Sequence, residues 1–115
     1  MGLFDSFRRP KQVSPDGQVL FQLKKAGSNL SKPHDVEFFL YFPTESVAEQ
    51  AASQIRAAGF NVEVKPAAKG NDWLCFATRR MVPDVVTLEH IRKDFTQLAT
   101  TLGGEYDGWG TGVEN

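Results

Sequence analysis

At 115 residues, 41% hydrophobic and 23% charged, the chain has the make-up of one globular domain with its own core, and too little length for two. It holds no apolar run near the roughly 20 residues needed to cross a bilayer and no basic start leading into a secretory signal. The lone Cys75 rules out an internal disulfide, so a reducing, cytoplasmic compartment is expected.

A net charge of −1 gives no global pull toward nucleic acid or membrane, but it hides a division. Within residues 1–33, Arg8, Arg9, Lys11, Lys24, Lys25 and Lys32 stand against Asp5 and Asp16 alone, whereas residues 34–115 are acidic overall. An acidic body favours basic partners and repels phosphate backbones.

Residues 1–12 read as an N-terminal arm and 13–115 as a single domain. The arm opens with Leu3, Phe4 and Phe7 and turns basic at Arg8-Arg9. Its first six residues fit the pattern of N-myristoylation; an interfacial anchor and a plain mobile terminus are the other readings, the last being the ordinary one. Ser14-Pro15 then starts a helix, with Ser14 as N-cap, Leu20 and Leu23 on one face, and Gly27 as its end.

Val36 to Phe42 is the strongest strand signal, apolar on both faces except at Glu37, as a central strand covered on both sides would be. Pro43 ends it, and Thr44 caps a helix whose Val47, Ala48, Ala51, Ala52, Ile55 and Ala58 form one stripe, stopped at Gly59. Phe60 to Lys65 alternates apolar and polar like an edge strand. Trp73 to Arg79 is a second central strand. Asp84 or Thr87 caps the longest helix, where Leu88, Ile91, Phe95, Leu98 and Leu102 recur at helical steps; Val86 and Ile91 make a hydrophobic staple if Thr87 is the cap. Residues 103–112, with five glycines around Tyr106 and Trp109, read as a closing strand.

The order strand–helix–strand–strand–helix–strand predicts an α+β, ferredoxin-like split βαββαβ sandwich: a four-stranded antiparallel sheet with an extra N-terminal helix. Its first and third strands should be central, and these are the two most apolar segments. The N-terminal helix would lie on the sheet face toward which Phe39 and Tyr41 point. The fourth strand, an edge, leaves the chain a monomer or a weak homodimer.

Chemistry is thin. His34 and His90 share no ligand spacing with Cys75, so neither a metal nor another cofactor is expected, and no nucleophile elbow or phosphate loop occurs. Phe39, Tyr41, Trp73 and Phe76 could stack the bases of a single-stranded RNA, as in other domains of this topology. The RNP1 pattern is absent and the body is acidic, which argues against direct nucleic-acid binding. The residues expected at a protein-binding surface are Glu37, Glu105, Tyr106, Asp107 and Trp109: the two rings as anchors, or else packed on the sheet edge or long helix, and Glu37, Glu63, Glu105 and Asp107 as an acidic face.

The segments Phe39–Glu45, Ala58-Gly59-Phe60, Met81-Val82-Pro83 and above all Gly104-Glu105-Tyr106-Asp107-Gly108-Trp109-Gly110-Thr111 resemble the regulator of ribonuclease activity B family, inhibitors of ribonuclease E, over roughly residues 13–113. The resemblance implies an α+β sandwich without catalytic activity. It also implies a bacterial protein that binds endoribonuclease E and lowers or redirects its cleavage of RNA, acting on the enzyme rather than on the transcript.

Overall fold

The computed structural model describes residues 31–68 and 70–111. The predicted helix over residues 14–27 and the arm over residues 1–12 lie outside the described residues. Four strands and two helices follow in the order β1 (His34–Phe42), α1 (Glu45–Ala57), β2 (Asn61–Pro66), β3 (Trp73–Met81), α2 (Val85–Thr101) and β4 (Glu105–Thr111). The strands form one antiparallel sheet in the spatial order β2-β3-β1-β4. The first and third strands are thus central and the second and fourth lie at the edges, as a split βαβ fold requires.

Each strand sends alternate side chains to opposite faces. Val36, Phe38, Leu40 and Phe42 point from β1 to the helix side and are essentially inaccessible. They meet Cys75 and Ala77 of β3 in register, with Ala48, Ala51, Ala52 and Ile55 of α1 and Leu88, Ile91, Phe95 and Ala99 of α2 above them. The alanine stripe lets α1 lie close, so that the Cys75 thiol donates to the Ala48 carbonyl across 3.1 Å. Phe38 anchors an aromatic cluster, with Phe60 and Phe95 each 5.5 Å away, centroid to centroid, in edge-on contact.

The helix ends follow from single residues. Thr44 accepts from the Val47 amide, and Gly59 at φ 101° ends α1 with a conformation that other residues avoid. Asp84 is the N-cap of α2, accepting from the Thr87 amide. Because the cap is Asp84, Val86 falls in the first turn and is 64% exposed, so the Val86–Ile91 staple does not form.

Two strands run longer than their apolar cores. β1 begins at His34, where the sequence reads as loop, and β3 continues two residues past Arg79 to Met81. His34 is fully buried, its Nδ1–H donating to the Lys32 carbonyl at 2.8 Å. Arg79 lies over the Phe60 ring at 5.2 Å, and Arg80 pairs with Asp35 at 3.1 Å.

Candidate functional site

The closing strand is irregular, and its irregularity decides what the sheet presents. Regular pairing carries Phe39 opposite Gly108, but Leu40 then lies opposite Tyr106, leaving Asp107 as the extra residue of a β-bulge. Gly108 takes φ 126° there, the region in which only glycine sits without strain. Two rings three residues apart would face opposite sides of a regular strand. The bulge turns both to the helix side, where Trp109 lies opposite Phe38 and Tyr106 opposite Leu40.

This places the expected partner residues in two groups. Trp109 is 4% exposed and belongs to the core, and Tyr106 packs its ring on Phe95 at 5.8 Å. Trp109 thus lies within the core, and Tyr106 is half-buried against it. Glu37 and Glu105 point to the opposite, outer face, Glu37 beside Gly110 and Glu105 beside Tyr41. Asp107, at the bulge, is 9% exposed, and its charge joins burial, the larger cause, in raising the pKa of the Tyr41 phenol.

The outer face is ordered in rows across the strands. One row runs Glu105, Tyr41, Leu74, Lys65; the next runs Gly108, Phe39, Phe76, Glu63; a third runs Gly110, Glu37, Thr78, Asn61. Phe39 and Phe76 touch with ring centroids 5.5 Å apart. Lys65 stands 4.7 Å over the Phe76 ring and 3.4 Å from Glu63. The result is an aromatic strip with carboxylates on its rim: Glu105 on one edge strand, Glu63 on the other, and Glu37 and Asp35 along the middle. Of the four rings considered for base stacking, Phe39, Tyr41 and Phe76 share this face, while Trp73 pairs with Phe42 on the helix side. Leu74, with no part in the sequence reading of a site, is the fourth apolar member of the face. Its outward position follows from the β1–β3 register, which an apolar run on both faces does not reveal.

Little in the described residues suggests bond-making chemistry. No group of three His, Cys, Asp or Glu there could hold a metal ion. The Cys75 thiol is pushed up to about 11, chiefly by burial and then by the Glu49 charge, and so stays protonated at neutral pH. A hollow of about 230 Å³ lies between Tyr41, Pro43, Asp72 and Glu105, below the roughly 300–1,000 Å³ of ligand sites. A wider one of about 620 Å³ is lined by one side of α2, including His90, Arg92 and Lys93. The wider hollow takes in His90, and neither is lined by Asp107 or His34. Next to it, Val82, Val85 and Val86 are 43%, 39% and 64% exposed, the largest apolar exposure among the described residues. No described helix is long and apolar enough to cross a membrane.

Compared with known protein families, the chain matches the model described as regulator of ribonuclease activity B over residues 14–111. The match takes in both helices, all four strands and the bulge. No curated protein matches the chain.

Proposed function

We propose that this chain, which belongs to the regulator of ribonuclease activity B family, is a non-catalytic cytoplasmic regulator that binds endoribonuclease E and lowers or redirects its cleavage of RNA. The observation that carries the reading is the family match from residue 14 to residue 111. The acidic rim of the outer sheet face supports it, since carboxylates spread over an aromatic strip suit a Lys/Arg-rich protein segment. In this reading Glu37 and Glu105 make the charged contacts, with Tyr106, Asp107 and Trp109 fixing the strand that presents them.

Capture of the basic region of ribonuclease E by the immobilised chain tests the proposal. Binding is expected at low salt and should weaken at least tenfold as ionic strength rises to where the Debye length is about 3 Å. Absence of binding at both salt levels would remove this nuclease as the partner.

A second reading, single-stranded RNA binding, is favoured by one observation: Phe39, Tyr41 and Phe76 share an outward face. The carboxylates around them oppose it, because phosphate backbones need cations. Anisotropy of a labelled oligonucleotide decides this, with no change expected even at high protein concentration.

A further inference from the structure

Among the described residues, one of the chain's own cations is already seated on the outer face. Lys65 of β2 stands opposite Leu74, and Glu63, two residues back on the same face, stands opposite Phe76. The Lys65 ammonium turns back along its strand toward Glu63. Its Nζ lies 4.7 Å from the centroid of the Phe76 ring and 3.4 Å from Glu63 Oε1. Phe39 flanks the same ring, its own centroid 5.5 Å away. A ring face beneath and a carboxylate beside it make a seat for positive charge, since both attract the same sign.

The occupant is held loosely. Side-chain exposure is 48% for Lys65 and 71% for Glu63, and ion pairs open to water contribute little because solvent and salt screen them. An ammonium is also a poor match to this seat. It is compact and strongly hydrated, and it meets ring and carboxylate as a point charge. A guanidinium is planar and less hydrated. It lies flat on a ring and offers a fork of N–H groups to a carboxylate at its edge. An arginine therefore gains more from Phe76 and Glu63 than Lys65 does.

We propose that Phe76 and Glu63 form an arginine seat in which Lys65 is a resident competitor, displaced when an arginine-bearing segment of a partner docks on the outer face. That the segment belongs to ribonuclease E rests on the reading above; the seat and its preference for arginine do not. The resident lysine acts as a filter. A partner that offers lysine exchanges like for like and gains nothing at this position, whereas one that offers arginine recovers more than the contact it displaces. Positive charge alone brings a segment to the acidic rim, and the type of side chain decides whether it stays.

Proton resonances of the full chain, titrated with hexa-arginine and with hexa-lysine, test the seat. In the free protein the Lys65 ε-methylene protons are expected upfield, shielded by the Phe76 ring, and Phe76→Leu should return them to the ordinary lysine position. No difference between the two proteins overturns the seat. Hexa-arginine is expected to move the same protons toward the ordinary position and to bind at least about fivefold tighter than hexa-lysine. Equal affinities, no binding by either peptide, or binding that leaves the Lys65 protons unmoved each overturn the proposal. Lys65→Met keeps the stem, removes the charge and should tighten hexa-arginine at least about threefold. Lys93→Met, the same change of charge on the exposed side of α2, should alter it less than about 1.5-fold at a Debye length of about 8 Å. Equal effects of the two would assign the gain to net charge and overturn the competitor. The basic region of ribonuclease E is titrated last. Its failure to bind while hexa-arginine displaces Lys65 removes the nuclease reading and supports the seat; its binding with Lys65 undisturbed overturns the seat's part in that contact.

Discussion

A methyl group added at Gly104 would fall on the Tyr41 carbonyl oxygen and the Phe42 ring, whereas one added at Gly110 meets no atom within 4 Å. The first obstacle is partly backbone and cannot rotate away. Gly104→Ala is therefore expected to cost about 1–3 kcal/mol, the range for overpacked sites, and Gly110→Ala to stay within about 0.5 kcal/mol of the parent. Urea titration of both variants checks the pair. Cys75 gives a pH effect of known sign. Burial raises its thiol from 9.0 to about 11, so the folded state holds the proton more tightly than the unfolded chain. Its contribution is complete below pH 9 and falls away as pH rises toward about 11. Denaturation midpoints across that window should drop more for the parent than for Cys75→Ala.

Among the elements, α2 depends on its first turn. Asp84 accepts from the Thr87 amide at 3.2 Å and from the Thr87 hydroxyl at 2.6 Å. These bonds, the hydroxyl first, hold its carboxyl below the usual 3.8. The lowered value means that the cap contributes fully above about pH 4 and loses strength as acid protonates it. Asp84→Ala is expected to cost about 1 kcal/mol near neutrality and nothing further in acid, a difference that thermal melts at two pH values resolve. In β4 the bulge governs orientation: Tyr106 and Trp109 share the helix side only because Asp107 is the extra residue. Residue composition made this strand legible, but not which way its rings point. The three-residue spacing is ambiguous until the register with β1 is known.

For the whole molecule, charge placement predicts behaviour that no single side chain does. Glu37 and Glu105 sit on the same face without being register neighbours, so Glu37→Lys and Glu105→Lys should each weaken capture of a basic partner several-fold at low salt and act nearly additively. Both should leave stability within about 0.5 kcal/mol; salt-dependent binding curves of the single and double variants measure this. The strand order was readable in advance because β1 and β3 are apolar on both faces, and only central strands need that. The helix cap at Thr44 was readable because its side chain acts within three residues, whereas Asp84 and Thr87 stood as alternatives for the cap of α2. What escaped prediction depends on partners distant in sequence. His34 and Asp35 look like loop until β1 pairs with Met81 and Arg80, and Arg79 looks like a strand end until its cation finds Phe60. The acidic rim was legible residue by residue, but its assembly around Phe39, Phe76 and Leu74 required the register.

The bond between the Cys75 thiol and the Ala48 carbonyl also makes the chain its own stopwatch. With a single cysteine in the sequence, every alkylation event reports one place, the seam where α1 rests on the centre of the sheet. Labelling by a small thiol reagent can proceed only as fast as that seam parts. Its rate under native conditions therefore separates partial detachment of α1 from complete unfolding.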